Sequence, residues 1–393
     1  MNDPIVIVGA KRTPMGSFLG ALSTVPAPVL GSYAIQAALS ESNLNPTDVT
    51  DVLMGCVLPA GLGQAPARQA ALKANLPYDV TCTTVNKVCG SGMRTVMLGC
   101  DSLLTNNADV VVAGGMENMS LAPYILSKAR HGYRLGHDKI LDHMIYDGLQ
   151  DAYEEGCLMG HFADRSADIF NVSREDQDQF AIASFKRAHA AQKKEIFKKE
   201  ITPVQVSLKK ETVTIEEDEL PTEEKRAKIP HLKPAFGEKG TVTAANASSI
   251  TDGAAALILT RQSYAHEKGL KVKAIIKGYT SHAQEPSLFT TAPVNALRKL
   301  AKKVNWPLET VDLFEINEAF ALVVLLTMRE LSLPLEKVNI HGGACVLGHP
   351  IGASGARILV TLLNALEQTR KTKGMATLCI GGGEATAIAI ERV

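Results

Sequence analysis

Apolar and polar positions along the chain fall into two alternating regimes. Short β-branched or aliphatic runs predict strands at Ile5–Val8, Val52–Met54, Val110–Ala113, Ala274–Ile276, Asp312–Ile316 and Thr377–Ile380. Between them lie longer stretches with apolar residues at helical spacing. One of these runs Met93, Val96, Met97, Cys100, Leu104. Strands alternating with amphipathic helices predict an α/β protein with helices on both sheet faces.

The pattern also repeats. Pro46-Thr47-Asp48-Val49-Thr50-Asp51 parallels Pro307-Leu308-Glu309-Thr310-Val311-Asp312. Ser91-Gly92-Met93-Arg94 parallels Ser354-Gly355-Ala356-Arg357, and Ala113-Gly114-Gly115-Met116-Glu117 parallels Ile380-Gly381-Gly382-Gly383-Glu384. Three matches in the same order, with slowly growing offset, argue for two related halves. The second copy passes straight into an alternating strand, Ala385–Ile390. The first breaks off after Glu117, and its closing strand is expected at Ala254–Leu259, after a turn at Thr251-Asp252-Gly253. Residues 120–249 are therefore expected to be an insertion in the first half, which comprises 1–119 and 250–270; residues 271–393 form the second half. The insertion has a Met/Gly/His-rich stretch to about Phe162 and a charged helical segment from Arg174 to Lys199. A Lys/Glu-rich stretch from Lys209 to Lys233 reads as a solvated face or loop.

Composition narrows the class. Of 393 residues, 46% are hydrophobic and 21% charged, with 41 Lys+Arg against 41 Asp+Glu. That neutrality, with no basic stripe among aromatics, argues against a nucleic-acid partner. No apolar run is long enough for a membrane helix. Seven scattered cysteines without a C-x-x-C pair suit a reducing compartment better than disulfides or structural zinc. With no signal or transit segment before Ile5 and no peroxisomal address at Glu391-Arg392-Val393, the expected location is the cytoplasm. His131, His137 and His143 recur every six residues, which places them on different helix faces, so no metal site is expected there.

The chemistry concentrates at Cys89. It stands between the β-branched run Val80–Val85 and Gly90-Ser91-Gly92, where a helix begins. Unpaired N–H groups at a helix start favour an anion, so a lowered thiol pKa is expected. A buried structural cysteine is the competing reading. Its counterpart loop in the second half, Gly348-His349-Pro350-Ile351-Gly352, offers an imidazole able to accept the thiol proton. Cys379-Ile380-Gly381-Gly382-Gly383 puts a second thiol beside glycine N–H groups that can face an oxyanion. In Asn317-Glu318-Ala319-Phe320, Asn317 can orient a water or donate to an oxyanion, whereas Glu318 reads as a helix cap. Cys56, Cys82, Cys100, Cys157 and Cys345 read as packing residues.

These four segments, Val88-Cys89-Gly90-Ser91-Gly92, Asn317-Glu318-Ala319-Phe320, Gly348-His349-Pro350-Ile351-Gly352 and Cys379-Ile380-Gly381-Gly382-Gly383, resemble the motifs of the thiolases over essentially the whole chain. The resemblance implies a duplicated, five-layered αβαβα fold with an inserted loop domain. It implies that Cys89 is acylated after His349 takes its proton, and that Cys379 removes an α-proton from a second acetyl-CoA. Asn317 with His349, and the N–H groups of Cys89 and Gly381, would form two oxyanion holes.

Met116–Pro123 and Asp147-Gly148-Leu149 look like the acetoacetyl-CoA branch, the acetyl-CoA C-acetyltransferases. The implied substrates are acetyl-CoA, acetoacetyl-CoA and CoA, with no further cofactor, and the implied assembly is a homotetramer, a dimer of dimers. Ser248, Phe236 and Ala244 match the pantetheine channel and Phe320 matches a position near the acyl group; Met159, Phe289 and Ala319 are the further CoA- or acyl-binding residues expected. Three positions depart from that branch: Leu158 replaces a usual His, Thr222 stands where a cation for the CoA phosphates is common, with Lys225 and Arg226 nearby, and Phe289 replaces a usual Met. The alternative within the family is a degradative 3-ketoacyl-CoA thiolase of broader chain length. A ketoacyl-synthase is disfavoured because it carries a second His where Cys379 stands.

Overall fold

The computed structural model describes residues 3–393. In the first half the strand order is Thr81–Val85, Asp51–Gly55, Val110–Asn118, Thr251–Arg261, Ile5–Arg12. In the second it is Leu313–Ile316, Lys373–Ile380, Glu384–Arg392, Ala274–Ala283. The two sets join where Val6 and Ile7 pair with Ile275 and Ala274, so the hydrogen-bonded ladder is continuous.

Alternation along the strands explains the layers. Ile5, Ile7, Val111 and Ala113 face one apolar core, together with Ile388 and Ile390 of the other half. Val6, Val8, Val110 and Val112 face a second core under the outer helix Ala27–Ser42. Ala385, Ala387 and Ala389 face a third, under Ala292–Val304 and Ala321–Leu331. The central core holds the two counterpart helices Ser91–Leu104 and Ser354–Thr369, packed against each other between the sheet halves. A period of two sends successive side chains into different layers, which yields the αβαβα stack.

Several expected strands are longer than the apolar pattern indicated. Thr251-Asp252-Gly253, expected as a turn, is strand: Asp252 pairs with Asn118 on one side and Gly16 on the other. Neighbouring ladders here override the local turn preference.

Between Asn118 and Thr251 the chain forms the helices Met159–Phe170 and Arg174–Lys193 and a hairpin, Val204–Ser207 with Thr212–Ile215. Ser173 caps the second helix by accepting the Asp176 N–H. The stretch expected to be solvated is mostly exposed, and it is pinned to the body of the protein at Asp218. Arg12 of the first strand, fully buried, donates to both oxygens of Asp218 at 2.6 and 2.8 Å and to Glu200 at 2.6 Å. A buried guanidinium needs such partners, and only the tertiary fold brings them over 188 and 206 residues of sequence separation.

Candidate active site

Cys89 lies two residues before the Ser91–Leu104 helix. The preceding Val88 has φ +46°, an uncommon conformation for a β-branched residue. Strain of this kind concentrates where a side chain must be aimed. The sulfur receives the backbone N–H of Gly381, which follows the last strand residue Ile380 of the other half. Cys379, in the same strand, is close enough for the two sulfurs to influence one another's ionisation. In the duplication Cys379 aligns with Val112, and Cys89 aligns with Gly352. Neither half alone holds the set, so the site is composite.

His349 enters from the second half on Gly348, whose φ of +91° and 2.0 Å clearance from Thr251 to an added Cβ admit only glycine. The His349 N–H donates to Ser249 O (3.0 Å), and Nδ1 lies 2.5 Å from Ser354 Oγ. Nε2 is buried without a partner. The same holds for both side-chain polar atoms of Asn317, a residue only 1% exposed. Buried polar atoms are normally paired. Three orphans on two motif residues mark a place prepared for a ligand or an ordered water.

The electrostatics correct one expectation. Burial pushes the Cys89 thiol up to about 11, against the pull of the Gly381 and Cys89 N–H groups. Burial, helped by the charge of Arg357, holds His349 down to about 3. Desolvation therefore wins over the helix terminus. At neutral pH both groups rest uncharged, one as a thiol and one as an imidazole. Burial likewise raises Cys379 well above its ordinary value.

The apolar end of the site is a cluster of Cys379, Ala319, Phe320 and Phe289, with Met159 and Phe236 packed against it. Phe320 meets Phe236 and Phe289 edge-on, with centroids 6.4 and 6.3 Å apart. Met159 Sδ is 3.1 Å from where a Gly381 Cβ would stand. A cavity of about 340 Å³ runs past Ala244, Ser249 and Phe185 to Lys225, Arg226 and Lys228. Ser249, in its lining, also accepts the His349 backbone N–H. Ser248, expected in that channel, donates its N–H to Ala319 O (2.9 Å), while the adjacent serine lines the cavity.

Two carboxylates escaped the sequence reading of the site. Glu318 does not cap the following helix, which begins at Ala321 with Phe320 as its cap. It is buried and accepts from Ser184 (2.8 Å), Asn339 (2.9 Å) and the Cys345 N–H (3.1 Å), tying the insertion to the loop that carries Asn317. Glu117 accepts the N–H groups of Val57 (2.9 Å) and Leu58 (3.1 Å) and, across the seam, of Gly352 (2.9 Å) in the His349 loop. Its recurrence as Glu384 in the repeat was the available signal. Cys56, Cys100 and Cys345 are buried, whereas Cys82 and Cys157 are half-buried, Cys157 against Glu154 and Arg165. His143 pairs with Asp147 at 2.6 Å, and the described residues contain no cluster of three or more metal-ligating side chains.

The comparisons agree with this architecture. Residues 5–263 match the family model "Thiolase, N-terminal domain" and residues 270–392 match "Thiolase, C-terminal domain". Among similar proteins, "Acetyl-CoA acetyltransferase 2" of Arabidopsis thaliana is 50% identical, covering 98% of this chain and 96% of its own. "Acetyl-CoA acetyltransferase" of Pseudomonas aeruginosa is 48% identical over the full length of both. A "Probable acetyl-CoA acyltransferase" of Staphylococcus aureus is 45% identical, covering 99% of each. The crystal structure of the Bacillus anthracis acetyl-CoA acetyltransferase superimposes with a TM-score of 0.97 at 38% identity, covering 100% of both chains. With its two-half sheet and full-length matches, the chain belongs to the thiolase family.

Proposed function

We propose that this protein is an acetyl-CoA C-acetyltransferase, joining two acetyl-CoA molecules reversibly into acetoacetyl-CoA and CoA. The reading is supported by Cys89 lying beside Cys379 and the Gly381 N–H, together with the buried, unpartnered polar atoms of the two other motif residues, His349 and Asn317.

The chemistry follows from those groups. Cys89 gives its proton to His349 Nε2 as its sulfur attacks the thioester carbonyl. The N–H groups of Cys89 and Gly381 face the resulting oxyanion. The CoA thiolate departs with the Cys379 proton, leaving a Cys379 thiolate and a protonated His349. A thiolate whose conjugate acid is raised by burial is a strong base, which suits a weakly acidic thioester α-proton. Cys379 takes that proton from the second acetyl-CoA. His349 Nε2–H and a water ordered by Asn317 hold the enolate oxygen. The enolate carbon attacks the acyl-enzyme, the Cys89 sulfur leaves, and it recovers its proton from His349. CoA thioesters are the only cofactor-like groups the scheme needs.

The aromatic wall of Phe289, Phe320 and Phe236 favours a short acyl group over the broad chain-length alternative. Lys225 and Lys228, which make no ion pair among the described residues, are suited to the CoA phosphates; Arg226 is engaged by Glu223 at 2.6 Å. Two surfaces support assembly with further copies. One is the exposed edge strand Thr81–Val85. The other is the arm around the Tyr124–Ile125 and Leu141–Asp142 hairpin, where Tyr124, Leu135 and Ile140 are 68%, 99% and 64% exposed. A homotetramer in the cytoplasm is the proposed working form. No helix of the described residues is long and apolar enough to cross a membrane.

Thiolysis of acetoacetyl-CoA, followed by loss of magnesium-enolate absorbance, tests the reading. Activity in the wild type that vanishes in Cys89→Ala is expected. Full activity in that variant, or equal turnover of long-chain ketoacyl-CoA, would overturn it.

A further inference from the structure

Ser354 Oγ touches two groups: the Pro350 carbonyl at 2.9 Å and His349 Nδ1 at 2.5 Å. A hydroxyl has one proton to give. If it goes to Pro350 O, the hydroxyl can only accept from the imidazole, and the ring proton must sit on Nδ1. The duplication supplies an independent reading of the same motif. Ser91, the counterpart of Ser354, donates its Oγ–H to Val88 O at 2.7 Å and accepts the Lys87 N–H at 2.8 Å. Both serines open their helix, donate back to a carbonyl of the preceding loop, and accept from a group just upstream. In the first half that group is a backbone N–H, which is always a donor. In the second half the same lone pair faces His349.

We propose that Ser354 is a positioning residue that fixes the tautomer of His349, holding its proton on Nδ1 and leaving Nε2 bare to receive the Cys89 proton. This rests on the reading of His349 as the base above. The surroundings agree. Arg357, one turn further along the same helix, is buried with Nε and Nη1 unpartnered, and its positive charge disfavours a second proton on the ring. From the other half, Glu117 holds Gly352 of the same loop, and the Cys89 thiol, raised by burial, adds no charge. Ser354 is fully buried, so water does not substitute freely for its hydroxyl. Ser354 acts only through His349 and touches no substrate.

The test begins with the wild-type protein, labelled with ¹⁵N-histidine, the His349 signals being assigned by their absence in His349→Asn. An unprotonated Nε2 and a protonated Nδ1 at neutral pH are expected. A proton on Nε2 would overturn the proposal whatever the variants do. Ser354→Ala should move the His349 signals toward the other tautomer and lower kcat for thiolysis roughly 10²-fold, the lower end of what a general base contributes, with KM for acetoacetyl-CoA within about twofold. Ser354→Thr, which keeps the hydroxyl, should restore the tautomer and much of kcat. Wild-type kcat and unmoved His349 signals in Ser354→Ala would sink the idea. Wild-type activity in His349→Asn would instead remove His349 as the base while leaving the ring's tautomer as measured. Should neither serine variant fold, the wild-type spectrum alone decides.

Discussion

Gly355→Ala tests whether the contact between the two counterpart helices sets the geometry of the site. A Cβ at position 355 would stand 2.3 Å from Met93 N, 2.6 Å from Met93 Cβ and 2.9 Å from Met93 Cα. Ordinary contact needs about 3.5 Å, and the nearest obstacle is backbone, so the helices must part by about 1 Å. Alanine is favoured over glycine in a helix by about 1 kcal/mol, while overpacking a core costs about 1–3 kcal/mol. The net effect is a loss of about 0–2 kcal/mol, toward the upper end because the obstacle is backbone, and a lowered Tm. The larger effect is on chemistry. Met93 follows Cys89 by four residues and Gly355 follows His349 by six, so parting the helices parts the thiol from the imidazole. Displacement on this scale can cost about 10²-fold in rate, read as kcat in thiolysis with KM for CoA little changed. Gly92→Ala provides the graded control. Its nearest obstacles lie at 2.9, 3.0 and 3.1 Å, so roughly half the shift and a smaller loss of kcat are expected. Wild-type kcat and Tm in Gly355→Ala would refute the reasoning.

Glu117→Gln should alter the pH dependence of stability. Burial, against the three N–H donors, raises the Glu117 carboxyl from 4.5 to about 7. Between those values the folded protein keeps a proton that the unfolded chain releases, so this group's contribution is lost as pH rises, by about 3 kcal/mol in total. His349 acts in the opposite sense, losing stability as pH falls below 6.5, so the variant-minus-wild-type difference isolates Glu117. That difference, from urea unfolding, should shift in favour of Glu117→Gln between pH 5 and 8; parallel pH curves would contradict it. Alkylation of Cys89 by iodoacetamide in the free enzyme should keep accelerating toward pH 11, and a plateau near pH 8 would show that desolvation does not govern the thiol. Lys225→Glu should raise KM for CoA several-fold with kcat preserved, since it faces the cavity mouth and not the reacting atoms. An unchanged KM would remove it from phosphate binding.

Much of the architecture was legible before any coordinates. Strand and helix periodicity, the internal repeat, the interruption after Glu117 and the four motif segments are all local patterns, and local patterns are what a sequence exposes. Cys89, His349 and Cys379 could be picked out because their glycine-rich surroundings advertise close approach, and Asn317 because it ends an apolar strand. What tertiary structure alone decided are the relations between distant segments. Arg12 seated on Asp218, Glu117 holding Gly352, Glu318 tying Ser184 to Cys345, and the Gly381 N–H reaching the Cys89 sulfur all join positions far apart in the chain. The ionisation of Cys89 is the sharpest case. Its place at a helix start argued for a lowered thiol pKa, yet the halves packed around this half-buried residue desolvate the sulfur enough for burial to outweigh the local dipole. Helix position is written in neighbouring residues, whereas solvent exclusion depends on everything packed around the sulfur, and that exists only once the two halves have met.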